Sequence, residues 1–263
     1  MIRLATSSPI STPDVQTLTE LVQLPGLWWL LLGAAIAGVV RGFTGFGTAM
    51  VYLPFAGAVV SPVTALVSLL SMDIFGPLPM VPSALRKGHP RDVALLGVGL
   101  VLMLPVGLYF LVRMEADTYR YVVSISTLIC VLVLLSGVRY TGRLTKPVIA
   151  ITGGIGGFLG GVAGLPGPPV TVLYMASRLP AETVRANLIL YLLLADLAIF
   201  PVLGLQGVLG WDAIFIGFLA LLPYMAGTAV GAALFDPARE NLYRAAAFIV
   251  ITVSALMGLP VWG

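Results

Sequence analysis

"GFTGFGTAMVYLPF" at residues 42–55 and "GVAGLPGPPVTVLY" at residues 161–174 are two versions of one pattern. Each opens on glycines and runs into an apolar segment. Each is followed by a short proline-bearing link, "SPVTALVSLL" from Ser61 and "LPAETVRANLIL" from Leu179. Both sit inside long hydrophobic stretches, where a helix has no local reason to stop. Glycine permits positive φ and close approach to the backbone. A helix broken inside a bilayer leaves backbone groups that only protein or water can satisfy. The paired breaks are therefore the feature to explain.

The surrounding composition sets the solvent. Of 263 residues, 59% are hydrophobic and only 10% are charged, against about 25% charged in a soluble domain. Mean hydropathy is +1.05. Too few charges exist to cover a soluble all-α core of this size. The chain reads as an all-α polytopic membrane protein. Turn signals and charges predict ten apolar segments, at 26–41, 48–60, 62–83, 92–113, 118–138, 147–161, 167–178, 182–204, 211–234 and 241–260. The first, second, sixth and seventh are short for a hydrocarbon core of about 30 Å. Residues 1–25 carry Pro9, Pro13, Asp14 and Glu20 with no apolar core between them. They read as a loose or interfacial lead-in rather than a cleavable signal. The single Cys130 excludes an internal disulfide.

Charge placement predicts orientation. With the loop after the third segment on the cytoplasmic side, that side holds Arg86, Lys87, Arg91, Arg139, Arg143, Lys146, Arg178, Arg185, Arg239 and Arg244. The other side keeps Arg3, Arg113 and Arg120, and Arg41 lies within the membrane. Positive charge in short loops sets topology, so both termini are expected outside, in the periplasm of a bacterial inner-membrane protein. The repeat agrees. "GLYFLVRMEADTYRYVV" from Gly107 answers "GAALFDPARENLYRAAA" from Gly231, with Tyr119 and Tyr243 in register. Each half has about five segments, an odd number, so the second half enters from the opposite side. This is the inverted-repeat plan of secondary transporters. The expected organisation is a lead-in (1–25), repeat 1 (26–138), a cytoplasmic linker (139–146) and repeat 2 (147–263).

Such transporters bind substrate near the midplane, at interrupted helices. The helix starting near Thr48 would aim free N–H groups and its positive dipole end into the protein, which suits an anion. In the first break every residue keeps its N–H, whereas Pro166, Pro168 and Pro169 have none. Arg41 adds a permanent charge with a fork suited to an oxyanion. The alternative is that Arg41 caps the end of its helix or snorkels to an interface. The candidate substrate site is Arg41, Gly42, Gly45, Phe46, Gly47 and Thr48, with Gly164 and Gly167 at the second break. Ser68 and Asn187, which align between the halves, could donate hydrogen bonds or simply tie helices together. Asp73 and Asp196 lie within apolar runs and are candidate proton carriers, or structural hydrogen-bonding groups, while pairing with Arg41 would instead keep one of them ionised. His89, in "RKGHPRD", reads as a solvated loop residue.

Other chemistry is not suggested. There is no phosphate-cradling nucleotide loop, no metal-ligand spacing and no serine–histidine arrangement. No cofactor, metal or nucleic-acid partner is expected. The expected partners are a small anion and the lipid bilayer.

In four features the chain resembles the TauE/SafE family of membrane permeases, the sulfite exporter family. They are the breaks "GVVRGFTGFGTAMVYLP" and "GGFLGGVAGLPGPPVTVLYM", the small or polar residues Ser68 and Asn187 after each link, the basic loop "RKGHPRDVAL", and the helix starts "TYR" and "LYR". The resemblance runs from about Gly33 to Gly258. It implies transport, usually outward, of sulfur oxyanions or organosulfonates such as sulfite or sulfoacetate. A passive anion channel and a non-transporting accessory subunit are the competing readings.

Overall fold

The computed structural model describes residues 25–137, 144–175, 179–234 and 240–261. Within them lie eleven α-helices, one short 3-10 turn and no strand. Most of the lead-in and of the linker fall outside the described residues, as do Arg3, Arg139, Arg143, Arg178 and Arg239.

The helices are α1 (Leu27–Thr44), α2 (Thr48–Gly57), α3 (Pro62–Asp73), α4 (Val81–Lys87), α5 (Pro90–Arg113) and α6 (Ala116–Leu135), then α7 (Lys146–Ala163), α8 (Gly167–Met175), α9 (Ala181–Leu205), α10 (Trp211–Leu234) and α11 (Glu240–Gly258). By length and composition α1, α5, α6, α7, α9 and α10 can cross a membrane. Leu102, Leu132, Leu222 and Ile249 are exposed, as side chains facing lipid would be.

One predicted segment is corrected. Residues 62–83 are not a single helix: α3 ends at Asp73, a 3-10 turn follows at Leu78–Met80, and α4 starts afterwards. Pro77, Pro79 and Pro82 remove three N–H donors, and each biases the residue before it away from helical geometry. Asp73 is therefore the last residue of a helix, not the middle of one.

Packing gives the relative directions. Trp29 stacks on Phe55 with ring centroids 5.0 Å apart, and Gly26 backs onto Val59. So α1 and α2 form an antiparallel hairpin, closed at Gly45–Gly47. Gly38 and Gly42 lie against Tyr224 and Thr228, which makes α1 parallel to α10. Gly99 and Gly107 lie against Ala150 and Phe158, which makes α5 parallel to α7. Gly88 meets Asn187 and Gly97 meets Leu194, so α5 also runs parallel to α9. The link 206–210 is too short to do other than reverse α9 into α10. Hence α1 and α7 run in opposite directions, an arrangement consistent with inverted repeats.

The aligned glycines Gly42 and Gly161 have matching roles. A Cβ at Gly42 would lie 2.5 Å from Thr228 O and 2.6 Å from Ala232 N. One at Gly161 would lie 2.7 Å from both Leu104 O and Leu108 N. Each meets partner backbone, which cannot rotate aside. Small residues of this kind let membrane helices approach closely. Gly161→Val is expected to separate α5 from α7, at a cost of about 1–3 kcal/mol or more. A lowered melting temperature or loss of the monodisperse species in detergent would register it. Topology is tested separately: reporter fusions at Gly88 and Gly142 should read cytoplasmic and one at Gln206 external. A cytoplasmic Gln206 would contradict the orientation drawn from the charges.

Candidate functional site

The polar centre of the molecule forms where α1, α2, α3 and α10 meet. Arg41 stands in the last turn of α1. Thr48 opens α2, Asp73 ends α3, and Tyr224 follows the internal Pro223 of α10. Arg41 Nη1 pairs with Asp73 Oδ2 at 3.1 Å, and the two side chains are only 11% and 13% exposed. The same Nη1 donates to Thr48 Oγ1 at 3.2 Å. Thr48 in turn donates to Asp73 Oδ1 at 3.4 Å, and Tyr224 Oη donates to the same oxygen. An acidic group at a helix C-terminus is opposed by the helix dipole. Asp73 is held there by a cation and two hydroxyls.

The C-terminal carbonyls of α1 are closed differently. Gly45, at φ 75°, donates its N–H to Arg41 O at 2.7 Å. The Arg41 guanidinium is thus turned to Asp73 and Thr48 and makes no cap on α1 among the described residues.

Asp196 is the second acid of this centre. It is 7% exposed and has no hydrogen bond or ion pair among the described residues. It lies within electrostatic range of Asp73 and Arg41. At 1.5 Å per residue, Arg41 is about 21 Å along α1, Asp73 about 17 Å along α3, Tyr224 about 20 Å along α10, and Asp196 about 14 Å from the Leu205 end of α9. The packing puts all four reference ends on one face. The cluster thus lies about 14–21 Å from that face, a depth inside a hydrocarbon core of about 30 Å.

The break itself is narrower in free donors than the sequence suggested. Thr44 Oγ1 accepts from Phe46 N at 3.3 Å and bonds back to Val40 O at 2.9 Å and Phe46 O at 2.7 Å. The N–H groups of Gly45 and Phe46 are therefore occupied. Those of Gly47, at φ 94°, and Thr48 have no partner among the described residues. The first recorded bond into α2 runs from Val51 N to Gly47 O at 3.2 Å. Gly42 faces α10, as described above.

The second break is apolar. Gly164, at φ 68°, closes α7 through a bond to Gly160 O at 3.0 Å. A Cβ there would meet Leu53 at 2.5 Å and Leu66 at 3.2 Å, and one at Gly167 would meet Leu192 at 3.2 Å. No charged side chain lines it at those points. Ser68 and Asn187 are likewise outside the hydrogen-bonded cluster. Ser68 Oγ bonds to Tyr52 Oη and to Ala65 O, both at 3.0 Å. Asn187 Oδ1 accepts from His89 N at 2.7 Å, while its Nδ2 is buried without a partner. The His89 ring is half-exposed.

A model of a known family, described as Sulfite exporter TauE/SafE, matches residues 30–258. The chain belongs to the TauE/SafE family. Comparison with curated proteins and with solved structures gives no match. As a TauE/SafE member with six helices among the described residues able to cross a bilayer, the chain is a multi-pass membrane transporter and not an enzyme. Within it the predicted residues Arg41, Thr48 and Asp73 come together, with Asp196 in electrostatic range. Tyr224 escaped the sequence reading. Its signal was a tyrosine beside Pro223 in a largely apolar helix.

Proposed function

We propose that this TauE/SafE member is a secondary transporter for a small sulfur-containing anion, sulfite or a C2 organosulfonate such as sulfoacetate. We place it in a bacterial inner membrane, with protons as the coupling ion. The observation that carries the reading is the Arg41–Asp73 pair beside a helix break, with both side chains nearly buried. An intramembrane arginine is expensive and is kept for a function or a partner. Here its partner is a carboxylate, which an incoming oxyanion can replace at the same fork. The N–H groups of Gly47 and Thr48 and the hydroxyls of Thr48 and Tyr224 supply further donors around that position.

The charge count yields the coupling. With both acids ionised, Arg41, Asp73 and Asp196 sum to one negative charge, which repels an anion. Each proton taken up removes one negative charge. Proton binding and anion binding therefore favour each other, and the coupling is reciprocal. Asp73 is the counter-ion that holds Arg41 between cycles. Asp196, with no donor to hold its charge, carries the proton. Alternating access would rock the α1–α2 hairpin and its counterpart α7–α8 about this point.

Thermal-shift measurements on the purified chain test the binding step. A ligand at about 100 times its Kd stabilises by about 2.7 kcal/mol. Sulfoacetate or sulfite should raise the melting temperature, while chloride at equal ionic strength should not. Equal shifts with all anions would remove the specific site.

A further inference from the structure

We propose that Arg185 is a second anion-binding residue, forming in the open space beside Gly45 a peripheral subsite that delivers the substrate to Arg41. The inference rests on the transport reading above and adds the substrate's first contact.

The space beside Gly45 is unusual among the glycines of the breaks. A Cβ at Gly47 would meet Val40 and Ile251, and one at Gly164 would meet Leu53 and Leu66. At Gly45 the sole atom within 4 Å is Arg185 Nε, at 4.0 Å. Arg185 is exposed and makes no ion pair or hydrogen bond among the described residues. The acid one turn earlier on α9, Glu182, is engaged by Lys87 at 3.4 Å, with both side chains more than half exposed. Two guanidiniums thus flank one turn of backbone. Arg41 is on the inner side and already paired. Arg185 is on the solvent-exposed side, with no ion pair among the described residues.

The difference in pairing sets an order of events. An anion reaching this face meets no carboxylate paired with Arg185 among the described residues. It meets one at Arg41, where it must displace Asp73. A solvated cation over open backbone raises the local anion concentration without holding the ion tightly. Arg185 also belongs to the basic residues that orient the chain, and a purely topogenic arginine would give no substrate-dependent signal. The ligand class is a small oxyanion whose head fits the planar fork.

The test uses the full chain in proteoliposomes, with sulfoacetate as the probe. Arg185→Gln should raise the half-saturating concentration about fivefold at low ionic strength, leave the maximal rate intact, and lose the difference at about 0.5 M salt. Lys146→Gln, which removes an exposed charge from the same face, should change neither value. A second variant guards against misfolding. Arg185→Cys in a Cys130→Ala background should regain affinity when the assembled protein is treated with an aminoethyl thiosulfonate reagent, and not with its sulfonatoethyl analogue. Sulfoacetate should slow the modification. If Arg185→Gln binds normally, or if Lys146→Gln loses as much, the inference falls. Should the thiol react at the same rate with and without sulfoacetate, it also falls. Loss of binding in Arg41→Ala alone would leave the transport reading standing. Intact binding in both arginine variants, or no saturable flux in the wild-type chain, would remove that reading as well.

Discussion

Arg41→Ala is expected to weaken anion binding at least about tenfold and to lower the stability of the protein at the same time. The two losses have different causes. A charge-assisted hydrogen bond contributes roughly 1.5–3 kcal/mol, and about 1.4 kcal/mol is one decade of affinity. Stability falls because Asp73, only 13% exposed, is left as a buried charge without its cation. Breaking such a pair costs about 3–5 kcal/mol. Arg41→Lys should recover part of each, since it keeps the charge and loses the fork. The double variant Arg41→Met, Asp73→Leu separates the causes. It removes both charges, so the melting temperature should recover while anion affinity does not. If affinity recovers with stability, Arg41 is a structural residue only. Melting curves with and without sulfoacetate on each folded variant read both quantities.

The second large effect concerns pH. Sulfoacetate affinity is expected to rise as pH falls, because each proton entering the cluster removes a negative charge beside Arg41. At an effective dielectric of about 20, a unit charge several ångströms away is worth about 1–3 kcal/mol, roughly tenfold to a hundredfold in affinity. Asp196→Asn fixes the low-pH charge count. It should bind tightly across the range, with the pH dependence flattened and flux no longer driven by a proton gradient. Asp73→Asn removes the competitor at Arg41 and leaves Asp196 in place, so its binding should stay pH-dependent. If both asparagine variants keep the wild-type profile, neither acid couples the protons. A sulfonate is the right probe, since it does not itself titrate near neutrality.

How much of this could be read from the chain depended on whether the signal was local. Arg41, Asp73 and Asp196 stood out because charges inside apolar runs are rare. The α1–α2 and α7–α8 breaks stood out because glycines recur there at matching positions. That Arg41 would pair with one of the two acids was open from the sequence, but which acid was not legible, because it depends on where α3 stops. That is decided by Pro77 and Pro79, beyond an uninterrupted apolar pattern. Tyr224 was invisible to the repeat, since the register that aligns Tyr119 with Tyr243 sets Leu100 opposite it. The donors of Gly45 and Phe46 were counted as free because Thr44 reads as one more small residue. Its hydroxyl instead closes the turn on itself. Ser68 and Asn187 align in sequence yet bond to different partners, Tyr52 in one half and the His89 backbone in the other. Alignment fixes a residue's height on its helix, while its partner is set by the neighbouring helix that happens to face it.

The most direct measurement is flux through the purified chain alone. Proteoliposomes containing only this protein should take up labelled sulfoacetate or sulfite in a saturable, protein-dependent manner. An inward proton gradient should accelerate uptake, and Arg41→Ala should abolish it at concentrations where the wild type is half-saturated. Uptake no faster than in empty vesicles, or uptake by Arg41→Ala equal to that of the wild type, would contradict a transporter built around Arg41.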